Sequence, residues 1–305
     1  MKKSFTVLKL AATILILWFV FDKLEFKQLV LHVTTWQVFY ALLVGSLGIS
    51  LQTFLSALRF RACTHMVGHQ LTNLNAWIAC LLGGLFSHTP LSIIGGDVVR
   101  VMHVTKSNLH WSDATKAVLL DRYLGFLGLM FWVIVSTPLM LDGIKDTHTK
   151  TGYWLLLSVG LLAAVGFLML GFVPEEKKLS GKFARLADFT LAARYLFRQP
   201  KIALSAFTLA VIINAFNLFI IWIIGLIYES DISLLVFITA IPMAFLVSMI
   251  PISIAGWGVR EGAFLISLGI FGVSSELSLI ISVTFGLSVL IAYTPALLWV
   301  FNKKK

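Results

Sequence analysis

A chain of 305 residues, of which 59% are hydrophobic and only 12% charged, with a mean hydropathy of +0.94, cannot cover the surface of a soluble globule, for which about 25% charged residues is usual. Its apolar segments run past the roughly 18 residues that mark a membrane span, so the sequence reads as an all-α polytopic integral membrane protein. The net charge of +10, from 24 Lys and Arg against 14 Asp and Glu, then records a cytoplasmic excess of bases and contact with anionic headgroups. Nucleic acid is not an expected partner.

The chain opens with Lys2 and Lys3 before an apolar run from Leu10 to Phe21, but Asp22-Lys23-Leu24-Glu25 follows where a small-residue cleavage site would stand. The segment reads as a retained first span. Hydropathy predicts about eight spans, near 7–22, 37–58, 117–140, 153–172, 203–227, 234–250, a short one near 259–272, and 277–301. Between the second and third, the apolar stretch Trp77 to Ile94 is interrupted by Gly83-Gly84, Pro90 and the Gly95-Gly96 pair that follows it. A re-entrant or broken helix is expected over 76–100, because freed backbone at membrane depth survives only against protein or a wet cavity. A second such break is expected at 251–262. Cys63 and Cys80 form no CxxC pair, and neither a disulfide nor a zinc site is expected.

The segment Pro174 to Lys201 holds seven Lys and Arg against three acids and should be cytoplasmic. Eight spans then place both termini inside. The polar segment is too short for a core of its own, so 1–305 reads as one membrane domain, with halves of about 1–173 and 202–305 joined by the connector 174–201. That connector is either an amphipathic surface helix, with Phe183, Leu186, Phe189 and Leu196 opposite the bases, or a solvated basic link.

The two halves match each other. Residues 90–98 read PLSIIGGDV and residues 251–259 read PISIAGWGV, an offset of 161. Each copy leads into charge, Asp97 with Arg100 in the first and Arg260 with Glu261 in the second. Matched Gly and Pro interruptions in two halves point to a transporter's binding site. Proline ends the incoming helix, serine can reach freed carbonyls and glycines allow close backbone approach. The restarting helices would aim unpaired N–H groups at an anion, with Arg100 and Arg260 beside them and phosphate the obvious ligand class. Asp97 and Arg100, three apart, could pair on one helical face; Arg260 and Glu261, being adjacent, should point apart. The alternative is that these segments are packing kinks and the arginines snorkel to the headgroups.

With PLSIIGGDVVR over 90–100, PISIAGWGVRE over 251–261 and Arg59-x-Arg61 ending the second span, the chain resembles the flippase-like transmembrane region of bacterial lysylphosphatidylglycerol synthases, over nearly its whole length. The resemblance implies an eight-span bundle with re-entrant elements in the bacterial inner membrane, moving a lipid or lipid-linked saccharide between leaflets. The soluble aminoacyl transferase domain of the full synthases has no counterpart before Lys305, so synthase activity is not carried over.

The expected substrate-binding residues are Pro90, Ser92, Gly95, Gly96, Asp97 and Arg100 from the first motif and Pro251, Ser253, Gly256, Gly258, Arg260 and Glu261 from the second. Arg59, Arg61, Asp121 and Arg122 join them; Asp121-Arg122 is either an interface anchor or a salt-bridging gate near the first motif. His65 and His69 lack the glutamate of a zinc-binding HExxH, and no metal or cofactor is expected. Asn214 and Asn217, one turn apart, should hydrogen-bond between helices. No nucleophile elbow, P-loop or dinucleotide fingerprint occurs. The leading reading is a lipid translocase rather than an enzyme. Its rivals are an intramembrane lipid-modifying transferase with Asp97 or Glu261 as base, and a non-transporting partner of a glycosyltransferase or lipid synthase. Expected partners are lipids with anionic headgroups, such a synthase, and a second copy of the chain.

Overall fold

The computed structural model describes residues 34–88, 92–107, 109–172, 184–229, 231–250 and 256–301. The expected span near 7–22, and Pro90, Pro251 and Ser253 of the motifs, lie outside them. The described residues form α1 (Thr35–Met66), α2 (Asn73–Ser87), α3 (Ser92–Thr105), α4 (Trp111–Gly143), α5 (Thr147–Leu170), α6 (Ala184–Arg198), α7 (Pro200–Tyr228), α8 (Leu234–Ser248), α9 (Val259–Gly269), α10 (Ser275–Tyr293) and α11 (Ala296–Phe301). This is the all-α polytopic membrane fold the composition called for. α1, α4, α5, α7 and the stretch Ser275–Val300 are long and apolar enough to cross a membrane.

The expected span near 234–250 and the short one near 259–272 both fall short of the hydrocarbon layer. α8 has 15 residues and α9 has 11, about 22 Å and 16 Å of helix against a hydrocarbon layer of roughly 30 Å. They pack on each other between the long helices α7 and α10, as α2 and α3 do between α1 and α4. α2 and α8 correspond residue for residue, Asn73–Ser87 and Leu234–Ser248, bounds that differ by 161 at each end. Each ends on a serine whose hydroxyl donates to the carbonyl four residues back, Ser87 to Gly83 at 2.8 Å and Ser248 to Ala244 at 2.7 Å.

Local chemistry sets the helix starts. Thr34 and Gln37 form a capping box on α1, Thr72 caps α2 and Ser274 caps α10. Inside the spans the helices are apolar all round, and packing follows side-chain size. The buried positions of α1 include Ala41, Gly45, Ile49, Thr53 and Ala57, a stripe of mostly small residues four apart. Along this helix Gly45 meets Ile224 and Ser288, and Gly48 meets Ile220. α1 and α7 run antiparallel, since Gln37 at the start of α1 donates to Ile227 O at 3.0 Å and Gln199 before α7 donates to Met66 O at 2.9 Å. Large exposed side chains such as Leu162, Leu204 and Ile266 face the lipid. The connector contains α6, where Ala192, Ala193 and Leu196 are buried, as a surface helix with one apolar face requires.

α2 and α3 touch glycine to glycine. A methyl added at Gly96 would run into Gly83 O and Ser87 Oγ. A carbonyl oxygen of a helix cannot step aside, so Gly96→Val must separate the helices, at an overpacking cost of about 1–3 kcal/mol. We expect a lower unfolding temperature in detergent for Gly96→Val and little change for Gly152→Val, where nothing lies within 4 Å of the added carbon.

Candidate functional site

The first motif and the Asp121-Arg122 pair come together across the α3–α4 interface. Arg100 donates from Nη2 to Asp121 Oδ2 at 2.8 Å, and Arg59 on α1 donates from Nε to the other oxygen, Oδ1, at 2.8 Å. One carboxylate therefore bridges two guanidiniums. Asp121 is 2% exposed and Arg100 7%. One residue on, Arg122 pairs with Asp97 at 2.9 Å. The pairing expected within α3, Asp97 with Arg100, does not form. Each residue takes the oppositely charged member of the α4 dipeptide, because α4 lies closer to both side chains than they lie to each other.

Glycines make this close approach possible. Gly83 leaves room for the aliphatic stem of Arg100, and Gly125 lies beneath the guanidinium of Arg59. The Arg100 guanidinium also stacks over the Phe60 ring, 4.1 Å from its centroid, where the ring quadrupole favours a cation. Its Nε–H is buried without a hydrogen-bond partner among the described residues. A buried unmatched donor costs about 1–3 kcal/mol.

A cavity of about 300 Å³ is bounded by Arg59, Arg100, Asp121 and Arg122 on one wall, with Gln52, Thr53, Ser56, Cys80, Ser87 and Tyr293 among the rest. His88, just after α2, and Met249, just after α8, reach it from the two breaks. Sequence reasoning missed Gln52, Thr53, Ser56, Cys80, Ser87 and Tyr293. A signal for some of them existed, since Gln52, Ser56 and Arg59 recur at helical spacing in an otherwise apolar span. Arg61 lies outside the cavity wall and bonds Asn73 Oδ1 at 2.6 Å.

The second motif is arranged differently. Gly256 and Gly258 have φ of +80° and +87°, left-handed values that glycine adopts without steric cost, and α9 begins directly after them. Glu261, fully buried, folds back so that Oε2 accepts the Gly258 N–H at 2.5 Å while Oε1 accepts from Arg260 Nη2 at 2.6 Å. Ser282 Oγ lies 3.3 Å from both Arg260 Nε and Glu261 Oε1. The expectation that adjacent Arg260 and Glu261 point apart is thus corrected: in the first turn of a helix a carboxylate reaching back to the cap passes alongside its neighbour. The free N–H groups expected at this helix start are also engaged, Gly258 by Glu261 and Arg260 N by Gly256 O at 2.9 Å. Arg260 is not among the residues lining the cavity; it lies against Trp257 and Gly286. Asn214 bonds its own helix at Ala210 O, 2.8 Å, rather than a neighbouring one.

The two clusters correspond at the 161-residue offset. Arg100 and Asp121 in the first half become Glu261 and Ser282 in the second, bonded across the equivalent α9–α10 interface. Gly125 becomes Gly286, and each seats a guanidinium.

Fold and site together define a multi-pass membrane protein with a charged, buried cavity at the junction of spanning and broken helices. The family described as the lysylphosphatidylglycerol synthase TM region matches residues 6–296, and the chain belongs to that family. Its members are membrane domains tied to lipid handling. No curated protein and no solved structure matches the chain.

Proposed function

We propose that the protein is a lipid translocase, moving a phosphate-bearing lipid or lipid-linked saccharide between the leaflets of the bacterial inner membrane. The observation that carries this reading is the cavity built on Arg59, Asp121 and Arg100. Buried ionisable groups at membrane depth are costly and mark substrate pathways. A headgroup crossing the bilayer needs polar partners to replace water, and this cavity supplies three guanidiniums and several hydroxyls. Corresponding helices support it too: α1 and α7 run antiparallel, so the halves form an inverted repeat, the architecture in which alternating access arises by rocking one half against the other. Arg61, Lys106, Lys116 and Lys201 gather at one end of the bundle, which the positive-inside rule assigns to the cytoplasm, with both termini.

The test is reconstitution into liposomes containing fluorescent phosphatidylglycerol or labelled polyprenyl phosphate, scored by the fraction accessible at the outer leaflet. Protein-dependent exchange is expected with at least one lipid, slowed about tenfold or more in Arg100→Gln and Arg122→Gln, because each removes a charged hydrogen bond to phosphate of about 1.5–3 kcal/mol. Arg122, whose side chain is 43% exposed, can lose its charge without leaving a fully buried partner. Equal rates in empty liposomes, or in both variants and the parent, would sink the reading.

A further inference from the structure

The charge balance of the cavity specifies which headgroup it takes. Both oxygens of Asp121 are engaged, one by Arg59 and one by Arg100. Asp97 gives both of its oxygens to Arg122, at 2.9 and 3.2 Å, and is not part of the cavity wall. Glu261 is closed off with Arg260 and the Gly258 N–H. Asp97, Asp121 and Glu261 are thus each already paired with a guanidinium. The three cavity arginines against Asp97 and Asp121 leave one positive charge unmatched. The remaining polar wall is neutral: Gln52, Thr53, Ser56, Ser87 and Tyr293.

We infer that this cavity selects a lipid whose headgroup is a singly charged phosphodiester bearing uncharged hydroxyl groups, such as a glycerol or sugar, and rejects the cationic aminoacyl ester of the same lipid. This rests on the translocase reading for its lipid source, and on the wall residues for its chemistry. One phosphodiester oxygen accepts from the cavity guanidiniums, of which Arg122 is 43% exposed, and balances the unmatched charge. The neutral amide and hydroxyls then meet the headgroup's own hydroxyls, donor to acceptor. An aminoacyl headgroup would bring further positive charge to a wall whose three guanidiniums already outnumber the carboxylates paired with them, and like charges brought together cost several kcal/mol.

Cys80 provides the readout. It lines the cavity, 3.8 Å from Arg100 Nη2, and Cys63→Ala leaves it the single thiol of the chain. Alkylation of Cys80 in detergent is followed with phosphatidylglycerol, lysyl-phosphatidylglycerol or free glycerol 3-phosphate added, alongside the unfolding temperature with each. Phosphatidylglycerol should protect Cys80 and raise the unfolding temperature at concentrations at least about tenfold lower than the lysyl ester requires. Gln52→Glu, which places an unengaged carboxylate on the wall, should narrow or reverse that order. Equal or tighter binding of the lysyl ester to the parent overturns the inference, and protection by glycerol 3-phosphate equal to that by the lipid overturns the lipid source. A protein that moves no lipid but keeps this order loses the translocase reading alone; one that moves lipid while binding both headgroups equally loses the selectivity alone.

Discussion

Replacing Asp121 with alanine should be the most damaging single change in the first half. It removes one carboxylate and leaves two guanidiniums, those of Arg59 and Arg100, buried without a counter-charge. Breaking one buried pair costs about 3–5 kcal/mol through the uncompensated charge left behind, and here two charges are stranded by one substitution. The protein should survive detergent extraction poorly, and the yield of monodisperse protein after mild heating would show it. Arg59→Met alone should cost less, since Asp121 keeps Arg100. Combining Arg59→Met with Asp121→Ala should recover part of the loss, because one stranded cation is removed with its anion. If Asp121→Ala is as stable as the parent, the bridge contributes no stability.

Glu261→Ala is the second large effect, and its cause is different. The carboxylate satisfies the helix-start N–H of Gly258 and neutralises Arg260 within one buried cluster. Alanine would leave Arg260, 7% exposed, facing only Ser282 and the Trp257 ring. A cost of about 3–5 kcal/mol is again expected. Glu261→Gln should be milder, since the amide oxygen can still accept from Gly258 or Arg260 while the charge is lost. Thermal unfolding of the three proteins in detergent should rank parent, glutamine, alanine in falling order. A glutamine variant as unstable as alanine would mean that charge alone matters and the cap does not.

How much of this was legible beforehand varies with the kind of feature. The spanning helices were, because a long apolar run has few folded alternatives in a membrane. The break between α2 and α3 was also readable, from Pro90, whereas Gly83-Gly84 and Gly95-Gly96, expected to interrupt the helix, lie inside α2 and α3, where Gly83 and Gly96 let the two helices approach. The shortness of α9 was readable too, since its apolar run is brief, but that of α8 was not, because hydropathy cannot distinguish a span from an apolar helix that turns back within the layer. The charged residues of the site stood out by their rarity, but their partners did not. Sequence spacing offers only neighbours on one helix, whereas Asp97 and Arg100 each found a partner on α4. Tyr293 and Cys80 lie in apolar runs and carry no periodic signal; only the assembled bundle brings them to Arg100.

The antiparallel packing of α1 on α7 has one further consequence, for how such a chain inserts. On the proposed inverted repeat, equivalent positions of the two halves fall on opposite faces of the membrane. A base retained at the same place in both halves would stand once on each face and give the insertion machinery no bias to follow. The positions 161 residues beyond Arg59, Arg61, Lys106, Lys116 and Arg122 are Ile220, Trp222, Ser267, Leu277 and Val283, none of them charged. Divergence between the halves is therefore not only the wear of a duplicated segment. It is what lets a single chain hold one orientation.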